Sequence, residues 1–162
     1  VTLSAKNGIG SSDDIETTIT KLVASNTANG NISIDETDAL VIGKIDQDSE
    51  GNVTVSANGT ITIVDSGISA TNGVVSLTAE SGDIVVNNGI TTIGGDVTLD
   101  SEAGNVSFSA NGDITSTSGN VTVSAVAGSI TLANGTTIIA GSGEIELTAN
   151  GDITLTGLST TN

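Results

Sequence analysis

The sequence predicts an all-β chain wound as a parallel β-helix, a β-solenoid of about 22–24 residues per coil with three short strands in each. Three observations predict it. Apolar residues come in pairs two positions apart, so both members of a pair point to the same face of a strand. The pairs recur at a nearly constant interval, the mark of a repeat architecture whose units cannot bury their apolar residues alone. Aromatic side chains are almost missing, with Phe108 the only one in 162 residues.

Residues 30–162 carry the regular coils. A first set of pairs is Ile32/Ile34, Val53/Val55, Val75/Leu77, Val97/Leu99, Val121/Val123 and Ile145/Leu147, in steps of 21, 22, 22, 24 and 24. A second is Leu40/Ile42, Ile61/Ile63, Ile84/Val86, Val106/Phe108, Ile130/Leu132 and Ile153/Leu155, in steps of 21, 23, 22, 24 and 23. A third set has one main residue per coil: Ile45, Ile68, Ile90, Ile114, Ile138 and Leu158. Three ladders sharing one period describe a triangular coil, each side sending its apolar residues inward. At an interstrand spacing of ~4.8 Å, six such coils make a section roughly 29 Å long.

The composition fits a narrow core of stacked aliphatic layers. Gly, Ser, Thr, Asn and Asp alternate with β-branched and aliphatic residues that favour strands, and there is no aromatic bulk to fill irregular space. Glycines stand just before the strands, at 51, 59, 73, 82, 95, 104, 119, 128, 143 and 151. The expected reason is a sharp corner needing positive φ. The residue after the glycine is often Asn or Asp, as at Asn52, Asp83, Asp96, Asn105 and Asn120. Mixing these with Ser and Thr from coil to coil predicts hydrogen-bonded ladders with little stacking of like charges.

Residues 1–29 read as an irregular first coil or an insertion. Ile15, Ile19, Leu22 and Val23 fall on one face of a helix, with Ser12 placed to cap it. The same run is rich in Thr and Ile, which suit strands. Both readings of 15–23, helix or strand, stay open on the sequence alone.

The charge is one-sided: nineteen acidic residues oppose three basic ones, for a net charge of −16. Lys6, Lys21 and Lys44 are the only cations. That balance opposes nucleic-acid binding by phosphate neutralisation and polybasic membrane contact. No apolar run is long enough to span a bilayer, so membrane insertion is not expected. With no cysteine, disulfide and zinc-finger readings fall away.

Catalytic chemistry finds no residues to carry it, and the chain is not expected to be an enzyme. Acidic pairs exist at Asp13/Asp14, Asp35/Glu36 and Glu144/Glu146, but no Arg or His accompanies them, and the abundant hydroxyls lack an activating base. No cofactor is expected, with calcium as the one candidate ion. Its candidate ligands are Asp46, Asp48 and Glu50, and Asp100 with Glu102. The EF-hand and GGxGxDxUx patterns are both absent. Outward Thr60/Thr62 suggests an ice-binding row, but the equivalent positions Asp83/Val85, Asn105/Ser107 and Ser129/Thr131 break it. Asn52-Val53-Thr54 and Asn120-Val121-Thr122 match the glycosylation acceptor pattern, as expected by chance in a Thr-rich repeat.

The phrases Gly51–Ile63 (GNVTVSANGTITI), Gly104–Ser116 (GNVSFSANGDITS) and Gly143–Gly157 (GEIELTANGDITLTG), with Asn7–Ile34 before them, resemble filamentous haemagglutinin-type bacterial surface proteins. The resemblance implies a right-handed β-helical rod, part of a very large adhesin or cell-surface fibre that is secreted or surface-attached. It implies a structural role in extension and display, with neighbouring coils or end-to-end copies as partners. The alternative is a carbohydrate- or calcium-binding β-helical module whose partners include host or cell-surface glycans.

Overall fold

The computed structural model describes residues 1–159, and residues 160–162 of the predicted coil region lie outside it. Short alternating runs of aliphatic and small polar residues form only strands among the described residues, with no helix. In chain order these are β1 (Thr2–Ala5), β2 (Ile15–Thr17), β3 (Lys21–Asn26), β4 (Ile32–Glu36), β5 (Leu40–Gln47) and β6 (Val53–Ala57). There follow β7 (Ile61–Ala70), β8 (Val75–Ala79), β9 (Ile84–Val86), β10 (Ile90–Thr92), β11 (Val97–Ser101), β12 (Val106–Phe108) and β13 (Ile114–Ser116). The last are β14 (Val121–Ala125), β15 (Ile130–Leu132), β16 (Ile138–Ile139), β17 (Ile145–Ala149), β18 (Ile153–Thr154) and β19 (Leu158–Ser159).

Every strand pairs in parallel with the strand one coil away. One face is a seven-stranded sheet in the order β17-β14-β11-β8-β6-β4-β2. The other two faces join in a twelve-stranded sheet, because β5 and β7 run through the bend between them without a break. The join has a visible cost in regularity: β5 shifts register against β7 between Ile42 and Lys44, and Asp65 adopts a positive φ of 54°.

All three predicted ladders are present in the predicted register. Ile32, Val53, Val75, Val97, Val121 and Ile145 stack on the first face. Leu40, Ile61, Ile84, Val106, Ile130 and Ile153 stack on the second. Ile45, Ile68, Ile90, Ile114, Ile138 and Leu158 stack on the third. They form one continuous core up to the last coil, where Ile145 packs against it partly buried and Ile153 and Leu158 are exposed. Phe108 is buried between Val86 and Leu132 in the second ladder, so the single aromatic ring occupies an ordinary layer.

Residues 15–23 resolve in favour of strands. Ile15 pairs with Ile34 and Leu22 with Ile42, so these residues extend ladders that continue in the next coils. An open parallel edge offers the backbone a complete set of partners. β-branched Thr and Ile lose less side-chain freedom there than on a helix. Ser12 therefore caps no helix.

Of the ten corner glycines expected to use positive φ, Gly51 does, at 152°, and the others do not. Gly73, Gly95, Gly119 and Gly143 do not use positive φ. They stack so closely that a Cβ on each would collide with the carbonyl oxygen of the glycine one coil before. Close approach of backbones, rather than turn geometry, excludes a side chain at this corner.

Candidate binding groove

A concave feature of the described surface lies beside the first coil, and its geometry begins at a buried amide. Asn26 ends the inward alternation Leu22, Ala24, Asn26 and is fully buried. Its Nδ2 donates to the carbonyls of Ala28 and Gly30 at 2.8 Å each, and to Gln47 Oε1 at 2.9 Å. Its Oδ1 accepts the Gly8 N–H at 2.8 Å. This network fixes the path of the first coil into the segment Gly10–Asp14. Gly10, at φ 65°, packs so tightly on the Ser33 backbone carbonyl that a Cβ would not fit. Ser11 Oγ donates to the Asn31 carbonyl at 3.0 Å.

The segment thus lies against the outer surface of the seven-stranded face. Between them runs a shallow groove of about 270 Å³. Ser11, Ser12, Asp13 and Asp14 form one wall, and Asn31, Ser33, Asn52 and Thr54 form the other. The asparagines have fixed orientations. Asn31 Oδ1 accepts the Asn52 N–H at 2.9 Å, and Asn52 Oδ1 accepts the Val74 N–H at 3.0 Å. With the oxygen committed, each amide keeps its Nδ2 donors for another partner.

The groove opens onto two columns of polar and acidic residues. Strand alternation and register stack Ser33, Thr54, Ser76, Thr98, Thr122 and Glu146 in one column. Glu16, Asp35, Ser56, Thr78, Asp100, Ser124 and Thr148 stack in the other, so that Glu16 and Asp35 are like charges one above the other. Asp100 Oδ1 is buried and has no hydrogen-bond partner among the described residues. The strands of this face carry no lysine and no aromatic residue.

The candidate calcium ligands do not come together. Asp46 is held by Lys44, whose Nζ lies 2.8 Å from Asp46 Oδ2, so an ammonium already occupies that carboxylate. Asp48, Glu50 and Glu102 are exposed, and Asp100 sits in the outer column. Among the described residues no group of three or more acidic, His or Cys side chains is placed to hold a metal ion. Of the acidic pairs, Asp13 and Asp14 line the groove, while Glu144 and Glu146 are exposed on the last coil. Asp35 and Glu36 point to opposite sides. Glu36 is fully buried, accepting from Thr17 Oγ1 at 2.6 Å and from the Ile19 N–H at 3.0 and 3.1 Å.

Sequence reasoning missed Asn26, Glu36 and Gln47 as interior residues. The signal was present, since each falls two positions after an apolar ladder residue, on the inward side. The groove wall Ser11–Asp14 had no such signal, because its position depends on which face the first coil crosses.

No family model, curated protein or solved structure matches the chain. Among the described residues no helix is long and apolar enough to cross a membrane.

Proposed function

We propose that this chain is a structural rod section of a large secreted or cell-surface bacterial adhesin or fibre, extending and displaying other regions. The observation that supports the reading is the parallel pairing that all three ladders keep from coil to coil, with register shifts only where β5 meets β3 and β7. Seven strands on the first face correspond to a rod of roughly 34 Å at ~4.8 Å per coil. Such a stack has no intrinsic length, because each coil needs only its neighbours. The last coil supports the same reading. Ile153, Leu155 and Leu158 continue the core pattern yet are 41%, 44% and 45% exposed. Among the described residues the outer edges of β17, β18 and β19 pair with no further strand, and with these side chains they form a surface suited to a further coil, from the same polypeptide or from a second copy.

Antibodies against the chain test the location. Labelling of intact source cells, or of material they release, is expected. Labelling only after lysis overturns the reading. Sedimentation velocity at rising concentration tests the partner: end-to-end association gives growing, increasingly elongated species, and a monomer at all concentrations removes self-association.

A further inference from the structure

We propose that Asn134 is a site of spontaneous covalent modification, at which the Gly135 backbone nitrogen displaces the side-chain amide and water then leaves aspartate or isoaspartate. The inference rests on the geometry of one turn and does not depend on the rod reading.

The chain contains eight Asn-Gly pairs, beginning at Asn7, Asn29, Asn58, Asn72, Asn88, Asn111, Asn134 and Asn150. Asparagine is a thermolabile residue, and a following glycine brings no Cβ next to the reacting nitrogen. By sequence the eight pairs are equivalent. The structure separates them, because the reaction has three requirements. The glycine N–H must be free to lose its proton, a five-membered ring must have room to close, and solvent must reach the site.

In six pairs the nitrogen is engaged. Gly8 N–H donates to Asn26 Oδ1 at 2.8 Å. The N–H groups of Gly30, Gly59, Gly112 and Gly151 donate to the carbonyls of Glu50, Asp38, Ser109 and Gly128 at 3.2, 3.0, 2.9 and 2.8 Å. Gly89 N–H donates to Oδ1 of Asn88 itself at 2.8 Å, and Asn88 Nδ2 is tied to the Asp65 carbonyl. Gly73 N–H has no partner among the described residues, but Gly73 is buried, with its backbone wedged between those of Gly51 and Gly95.

Asn134-Gly135 meets all three requirements. Both residues are exposed. Gly135 N–H donates to nothing among the described residues. Gly135 has a φ of 97°, and a Cβ placed on it would meet nothing nearer than 4.0 Å, so the ring has room. The turn is closed by Thr136 N–H on the Ala133 carbonyl at 3.1 Å, which leaves the central peptide unbonded.

The step balances without a redox partner. Gly135 N gives its proton to solvent and forms a bond to Asn134 Cγ. The Cγ–Nδ2 bond breaks, and the nitrogen takes up a proton and leaves as ammonia. Water opens the succinimide at Cγ to give aspartate, or at the main-chain carbonyl to give isoaspartate. The isoaspartate route runs the main chain through Cβ and Cγ and adds a methylene to the turn. Both ends of that turn are pinned. Thr136 is buried, its Oγ1 donating to the Ser109 carbonyl at 2.7 Å, and the Ala133 carbonyl accepts Thr156 Oγ1 from the last coil at 2.7 Å. A lengthened turn cannot keep both contacts, so the modification loosens the hold on β18 and β19.

The test ages the whole 162-residue chain in mildly alkaline buffer, folded and separately in urea, with peptide mass spectrometry to map the products. In the folded chain Asn134 is expected to react roughly tenfold or more faster than any other Asn-Gly pair, since the others need local opening first. In urea the eight rates should converge. Asn134→Gln would need a less favourable six-membered ring, and it is expected to abolish the early ammonia release with an unchanged melting temperature. Folded chain that reacts first at another asparagine, equal rates at all eight, or undiminished ammonia release from Asn134→Gln would each overturn the site. Isoaspartate-containing chain, separated after ageing, should exchange its β18 and β19 amides faster than Asn134→Asp, which has the same charge and a normal backbone. Equal exchange would overturn the loosening of the last coil. None of these outcomes bears on surface labelling, which tests the rod reading separately.

Discussion

Gly95 carries no side chain because Gly73 lies directly beneath it, and the same relation repeats from Gly119 down to Gly95. Substituting Gly95→Ala forces two backbones apart in the middle of the stack. The expected cost is about 1–3 kcal/mol, the range for overpacking a well-filled site, read as a lower urea midpoint. An unchanged midpoint would mean that the corner relaxes freely. Lys44 offers a second check on a single residue. Its hydrogen bond to Asp46, then the attraction of that carboxylate, hold its pKa above the ordinary 10.5. The folded state thus favours the charged form. The associated stability is fully present below about pH 10.5 and is lost as pH rises through the raised folded value. Titration of the Lys44 side chain by NMR should give a midpoint above 10.5, and Asp46→Asn should return it toward that ordinary value.

Individual strands here are too short to be stable alone, and the side chains between them supply a second set of bonds. Residues that follow the corner glycines accept the backbone N–H of the next coil. Asp83 Oδ1 takes Asn105 N–H at 2.7 Å, Asn105 Oδ1 takes Ser129 N–H at 2.9 Å, and Asn120 Oδ1 takes Glu144 N–H at 2.8 Å. The sequence predicted ladders at these positions. The bonds run mainly from backbone to side chain, which explains why Asp, Asn, Ser and Thr alternate so freely: each supplies an acceptor oxygen. Asn120→Ala should therefore cost about 1 kcal/mol, while Asn120→Ser, which keeps an acceptor oxygen as Ser129 does for the Asp152 N–H without stacking a third carboxylate between Asp96 and Glu144, should stay within about half of that, both read by chemical denaturation. Equal losses would show that the acceptor oxygen does not matter.

Stability along the whole stack should follow its one-dimensional construction. Each coil contacts chiefly the coils on either side, so opening begins at the ends, where a coil has only one neighbour. Leu77, Leu99 and Val121 are fully buried in the middle, while Ile153 and Leu158 are half-exposed at the last coil. Amide exchange should be slowest in β8, β11 and β14 and fastest in β17, β18 and β19. Uniform protection along the rod would show all-or-none unfolding instead. Covering the last coil with further coils or a second copy should raise protection there first.

The period and the inward alternation settled the architecture before any coordinates, because a repeat of near-constant length with pairs two apart has only one way to bury them all. Counting also placed Val97 and Leu99 in their layers and Asp96 between Val74 and Asn120. It did not settle the interior fate of Asn26, Glu36 and Gln47, since burying a polar group depends on partners 2–21 residues away that the local pattern does not reveal. Nor did it distinguish helix from strand at 15–23, where the deciding factor is an open edge in the next coil. The phrases at Gly51–Ile63 and Gly104–Ser116 are nearly alike, yet they turn different corners. Only the winding of the coil decides which face a phrase occupies. The groove is the product of that winding. Ser11–Asp14 and Asn52–Thr54 are some forty residues apart, about two coils, and only the stacking brings them to one face.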